Sequence, residues 1–520
     1  MTKGKQFADL ILFSDSVFTA EDLSTTERCI VIKDEKIVSV CDKDQTKDWI
    51  GPKTQKISLY GKTVMPGCSD NHTFFTGNII RGLGLDLSKV YGEESVMAAL
   101  EKHAGTLPPG APVYAHGWNA ESFTNKKPDA SRLDTAFPDR PVVVFTENRN
   151  NCWMNQIALN RYGFNSSHLN FEAMTALLKE YMSDPVFVKN EYKKFMRLMN
   201  SKGITSVKDI GYDDFYGVLS VLEKMDQDGE LTLRENFALQ SVDSPFNLNF
   251  VKKAQMKYRS PFLNFQGISI FTDGCIGDLK ANMLEPYPCR SDTCSIQPYD
   301  YDSLEQIVTD ADRMGIRVTL HAQGDRAVRE CVNLFEKASE VNHTTGRRHA
   351  ITSLEISHPD DLERMGRLGI SAEDYSLSII LYGNDVVELL GNTLRPERWN
   401  CLWNHRKMAD SGVNISFVSD IPYSQPNIGD TIYCVAGKRM ISGKTLLPQN
   451  ALTIPEVLRA YSYGGQYANG HEDILGTLKP GKLADITVLD HNVFALPIEE
   501  MRNVDVYMTI SNGRVVYSKS

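Results

Sequence analysis

The rhythm of polar and apolar positions changes twice along the chain. Residues 8–13, 29–32 and 36–40 are short runs rich in β-branched side chains and bounded by polar turns, which predicts a small β module at the N-terminus. From about residue 85, segments of helical period alternate with short apolar runs. Leu304, Ile307, Val308, Ala311 and Met314 form the buried stripe of a helix that Gly315 ends, and residues 316–320 read as the strand that follows. The loop His321-Ala322-Gln323-Gly324 then leads into a second helix over 327–338, with Val328, Cys331, Val332 and Leu334 inside. The same alternation recurs at 141–145, 268–271, 370 and 413–418. Repeated helix–strand–loop–helix units predict an α/β fold with a parallel sheet, and their number favours a (β/α)8 TIM-like barrel over an open sheet.

After a helix starting near Ile454 the chain returns to short strands at 484–489, 504–510 and 515–517. β segments at both ends predict a small β-sandwich formed from the two termini, from residues 1–65 and 471–520, flanking a barrel over 66–470. Residues 285–300 carry three prolines, two cysteines and no period; they read as a long loop, either a lid over the barrel or a surface excursion.

Composition narrows the function classes. Hydrophobic residues make up 42% and charged residues 23%, ordinary globular usage. The net charge of −10 and the lack of a basic stripe argue against nucleic acid as a partner. No apolar run approaches the roughly 18 residues needed to cross a bilayer, and no secretory signal is evident, so a cytoplasmic protein without membrane association is expected. Ten cysteines, mostly isolated and without a CxxC pair, fit a reducing compartment. The expected partner is a small-molecule substrate, with a homodimer as the expected assembly.

In a parallel barrel the reactive side chains follow the strands, at the C-terminal face. Three candidates pass that filter: His72 after residues 64–68, His321 after 318–320, and Asp420 after 415–418. Two imidazoles and a carboxylate at separate strand ends make an N2O set suited to zinc or a similar ion; alternatively, each caps a helix or bonds to backbone. His103, His168, His343, His349, His405, His471 and His491 lie in helical or polar stretches and read as surface or packing residues. His116 follows 113–114 and could line the pocket beside Trp118, although Gly117-Trp118 is also ordinary turn chemistry.

Several segments, taken in order, resemble the signature of the metal-dependent amidohydrolases. They are Met65-Pro66-Gly67 leading to Asp70-Asn71-His72; Asp273-Gly274; His321-Ala322-Gln323-Gly324-Asp325-Arg326-Ala327; Ser419-Asp420-Ile421-Pro422; and Pro480-Gly481-Lys482-Leu483-Ala484-Asp485. The likeness is nearest to amidohydrolase family 3, which includes N-substituted formamide deformylase, and runs from about residue 8 to residue 518. It implies a TIM-like barrel, a sandwich from both termini, and hydrolysis of a C–N bond by a metal-activated water. By position, His72 and His321 look like metal ligands and Asp420 like a ligand that doubles as general base.

The departures from that pattern matter as much. Where the family's first strand ends His-x-His, this chain has His72-Thr73-Phe74. Ser269 stands where the fourth strand carries a bridging lysine, Ser353 where the sixth carries histidine, and Asn150 where a further histidine precedes Trp153-Met154-Asn155. A two-metal centre is therefore not expected, and at most one Zn2+ is, on His72, His321 and Asp420, with Glu355, His358, Cys68 and Cys275 as substitute ligands within reach of the strand ends. The expected catalytic set is His72, His321, Asp325 and Asp420, with Phe74, Trp118, Asn150, Asp273 and Ser353 around the substrate, and Phe75 beside them. The expected activity is hydrolysis of a non-peptide C–N bond. A metal-independent lyase or isomerase using the same acid–base residues, or a protein that keeps the fold without the chemistry, remains the alternative.

Overall fold

A computed structural model describes residues 7–119, 129–146, 152–162, 171–212, 214, 216–240, 247–297, 299–375, 377, 380 and 391–519. The chain divides into two compact units, one of residues 1–74, 192–214 and 222–520, the other of 75–191 with 215–221.

The first unit contains an eight-stranded parallel sheet that runs from Cys68–Thr73 through Ile204–Tyr212, Arg234–Gln240, Leu263–Phe271, Val318–Ala322, Ala350–Ser353 and Ser371–Asp374 to Ile415–Phe417. Its members are largely buried on both faces, as strands of a closed parallel sheet must be; every residue of the sixth and seventh is buried. The eighth strand returns to the first through a parallel bridge between Thr73 and Ile421, reinforced by the Phe74 N–H donating to the Ile421 carbonyl at 3.0 Å. The sheet is thus a nearly closed TIM-like barrel. Its helices obey local rules. Tyr301–Arg313 is capped by Asp300, which accepts from the Ser303 N–H at 3.2 Å, and Gly315, at φ 71°, turns the chain after it.

Both chain ends build one further sheet of eight strands in this unit. Ile486–Leu489 pairs with Thr63–Pro66, and Val506–Ser511 and Arg514–Ser518 extend it outward; Leu10–Phe18, Thr25–Lys33 and Lys36–Cys41 make the other side, with Gln55–Ser58 paired to Leu10–Phe18 as the eighth strand. Leu12, Ile30, Ile32, Val64, Ile486 and Val488 make its core. The second unit has its own four-stranded sheet, including Val113–Trp118, Val142–Thr146 and Cys152–Met154. This corrects one expectation: the apolar run at 141–145 belongs to this separate sheet and is not a barrel strand. Buried parallel strands look alike in sequence whichever sheet they join. Residues 285–300 carry no helix or strand among those described. No described helix is long and apolar enough to cross a membrane.

Candidate active site

Barrel closure brings His72 and Asp420 together. Because strands one and eight are neighbours, the Asp420 N–H donates to the His72 carbonyl at 3.0 Å, and His72 Nε2 lies 3.6 Å from Asp420 Oδ1. His321 stands on the fifth strand, across the barrel mouth, its ring 4.8 Å from that of Phe271. All three line one cavity of about 610 Å³ at the C-terminal ends of the strands. A second cavity, of about 430 Å³, is lined by Gly369 and Val413, which lead into strands seven and eight. It therefore opens at the other end of the barrel, where this fold carries stability and not chemistry.

Burial sets the charge states. The His72 imidazole is pushed down to about 3 by burial, by the Lys208 ammonium and by His321, and His321 is pushed down to about 4 by burial. Both rings are therefore neutral near pH 7. The Asp420 carboxyl is raised to about 7 by burial and by the neighbouring charge of Asp70. Asp70 itself is raised to about 6 by burial, against hydrogen bonds from Ser419 and His72; it accepts the Ser419 N–H at 3.0 Å. Asp420 sits at φ 54°, Ser353 at 84° and Leu354 at 60°, left-handed conformations that cost non-glycine residues energy and cluster here at the strand ends.

Asp273 lines the cavity after strand four. Its carboxylate accepts three backbone N–H groups, from Gln323 at 2.9 Å, Gly324 at 2.8 Å and Asn282 at 3.0 Å, while burial still raises it to about 7. The approach needs glycine, since a Cβ on Gly324 would fall 2.2 Å from the Asn282 carbonyl oxygen. Phe74 and Ser353 also line the cavity.

Other expected site residues are placed elsewhere. Asp325 is wholly buried at the start of the helix Asp325–Asn342, pairs with Arg398 and accepts the Leu284 N–H at 2.9 Å. It holds the loop after strand four and is not a lining residue, which corrects its expected catalytic place. Trp118 is also a correction: it is 2% exposed in the core of the second unit, its indole N–H donating to the Val144 carbonyl at 3.1 Å. Phe75 is buried as well. Asn150 lies outside the described residues. Of the substitute ligands, Glu355 and Cys275 line the cavity, Cys68 is a buried thiol beneath it, and His358 caps the helix Pro359–Leu368.

Sequence reasoning passed over Phe271, Tyr375 and Tyr423, which also line the cavity. For Phe271 and Tyr375 an aromatic residue at or directly after a barrel strand end was the available signal.

Among the described residues neither His72 Nδ1 nor His321 Nδ1 has a hydrogen-bond partner, although the latter lies 3.9 Å from Asp273 Oδ1, so both rings can still take a ligand. Yet among the described residues no three His, Cys, Asp or Glu side chains are grouped to hold a metal ion. Phe74 offers no lone pair, and Ser269 and Ser353 offer only hydroxyls where the resemblance expects stronger donors. The residues present do not make up a preformed metal site.

A barrel with candidate groups at the C-terminal ends of strands one, five and eight, and a sheet from both termini, is the architecture expected of an amidohydrolase. Residues 55–517 match the amidohydrolase family, and the chain belongs to it. It is 25% identical over 540 residues to YtcJ of Bacillus subtilis (strain 168), covering 97% of this chain and 98% of that one. It is 21% identical over 556 residues to the N-substituted formamide deformylase of Arthrobacter pascens, covering 99% of each. Its fold matches an uncharacterized metal-dependent hydrolase from Pyrococcus horikoshii OT3 with a TM-score of 0.76 at 19% identity, over 94% of this chain and 99% of that one.

Proposed function

We propose that this protein hydrolyses a C–N bond other than a peptide bond, in an amide, lactam or formamide of a small molecule, with at most one metal ion. The observation that carries the reading is the convergence of His72, His321 and Asp420 on one cavity at the catalytic face of the barrel. Asp420, raised to about 7, is poised near neutral pH to accept a proton from the attacking water and return it to the departing nitrogen. The neutral imidazoles of His72 and His321 offer N–H donors to oxygen as charge develops on the carbonyl. Family membership and the full-length similarity to the Arthrobacter deformylase support this class.

The incomplete ligand set favours a second reading, in which the same acid–base groups act without metal on a lyase or isomerase step. A panel of N-formyl amines, lactams and small amides, assayed for released amine or acid, separates the two. Turnover with uptake of water, lost in Asp420→Asn, supports hydrolysis. Product formed without water uptake supports the second reading, and inertness toward the whole panel overturns the first.

A further inference from the structure

The cavity contains a buried acid that the proposed chemistry does not use. Glu355 follows the sixth strand and is 1% exposed. Its backbone is fixed by the Trp403 N–H donating to its carbonyl at 2.9 Å, yet its Oε2 has no hydrogen-bond partner among the described residues. Asp273 and Asp420 line the same space, and no lysine or arginine is among the described lining residues. The nearby cations are engaged elsewhere: Lys208 on Glu373 and Thr319, Arg398 on Asp325. Buried carboxyl groups without a countercharge are costly, and an unsatisfied one more so. Around the acids stand aromatic rings. Phe271 is 53% and Tyr423 73% exposed, although large apolar rings are normally covered. Carboxyl groups beside exposed aromatic rings are the surroundings that favour an organic cation.

We propose that the cavity takes substrates carrying a cationic nitrogen group, an ammonium, amidinium or guanidinium, held by Glu355 with Asp273 and Asp420 and flanked by Phe271 and Tyr423. This rests on the cavity being the active site, and it names the substrate class that site selects. Carboxylate-bearing amides are rejected, because no lysine or arginine among the described lining residues offers them a positive charge.

The test uses the full chain in the presence of a chelator, with phenylguanidinium, its neutral isostere phenylurea, and benzoate as calorimetric probes. Phenylguanidinium binds at least about tenfold more tightly than phenylurea, as hydrogen bonds to charged groups require, and benzoate does not bind. Glu355→Gln abolishes that preference while leaving phenylurea binding in place. Tyr423→Ala, at a position 73% exposed, weakens phenylguanidinium severalfold. Equal or tighter binding of phenylurea or benzoate, silence from all three probes, or a preference that survives Glu355→Gln overturns the proposal. So does binding of Zn2+ alone, without chelator, that displaces phenylguanidinium and is lost in Glu355→Gln, since the acids would then serve a metal. The readout needs no turnover. A retained cation preference with no C–N hydrolysis defeats only the hydrolase reading, and hydrolysis with the preference lost defeats only this one.

Discussion

Arg234 and Asp485 form a two-pronged ion pair with no access to water: Nε donates to Oδ2 at 2.8 Å and a terminal NH2 group to Oδ1 at 2.9 Å. Arg234 opens the third barrel strand, and Asp485 precedes the strand Ile486–Leu489 of the sheet built from both termini. Asp485 also accepts the Asn512 N–H at 2.8 Å, and its carbonyl accepts the Gly67 N–H at 2.7 Å. The pair therefore fastens the terminal sheet to the end of the barrel opposite the cavity. Arg234→Met is expected to cost about 3–5 kcal/mol, because it strands a buried carboxylate. Arg234→Met with Asp485→Leu should regain much of that loss. Urea unfolding midpoints measure both, and additive losses in the double variant would show that the two side chains act independently.

That pair also explains what the sequence could and could not disclose. Short apolar runs revealed the barrel and the terminal strands, because a buried strand reads as a nearly continuous apolar run set between helical or polar segments. The Pro480–Asp485 and His321–Ala327 segments mark the family, yet Asp485, Gly324 and Asp325 in them serve architecture: an interlayer ion pair, a close backbone approach and a buried loop clamp. Motif membership alone does not separate such residues from reactive ones, which is why Asp325 read as catalytic. The meeting of His72 with Asp420 was foreseeable only through topology, since 348 positions separate two residues that barrel closure makes neighbours. Trp118 was misplaced because a Gly-Trp pair after a strand reads the same in either sheet. Glu355 stood out only as a spare ligand, as the loss of every partner for one oxygen is a three-dimensional property.

Asp420 carries the largest expected effect on turnover. Asn keeps its shape and its left-handed backbone but cannot accept a proton. Asp420→Asn should therefore lower kcat by about 10²–10⁴-fold with little change in the melting temperature. A variant that retains more than about a third of wild-type kcat would remove Asp420 from the proton-transfer step.

Metal content separates the two readings of the site. With Phe74, Ser269 and Ser353 at positions where the resemblance expects ligands, protein purified without added metal should hold no more than one equivalent of zinc or a similar ion, by elemental analysis. If that ion serves hydrolysis, a strong chelator abolishes activity and His321→Ala lowers metal content and kcat together. Activity that survives chelation points to acid–base chemistry by the side chains alone. Two tightly held equivalents would contradict the ligand count.

The fold should weaken with acid in two stages, through a buried pair far from the chemistry. His349 Nδ1 accepts the Val318 N–H at 3.1 Å, so the ring's proton sits on Nε2, 3.1 Å from Asp312 Oδ1. Phe335 stacks on the same ring with centroids 4.6 Å apart. Burial lowers the His349 pKa below its ordinary value despite Asp312, so the unfolded chain binds this proton more readily than the folded one. Stability from this residue is complete above about pH 6.5 and is lost as the pH falls below it. Asp312 is opposed by burial, but hydrogen bonds from His349, Thr344 and Asn342 hold its carboxylate well below the usual range. Its contribution is complete above about pH 4 and is lost on further acidification, which has the same sign. Urea midpoints measured from pH 7.5 downward should therefore fall first near the histidine range and again below about pH 4. His349→Gln should flatten the first step, and Asp312→Asn the second. An unchanged profile in either variant would assign the acid sensitivity to other groups.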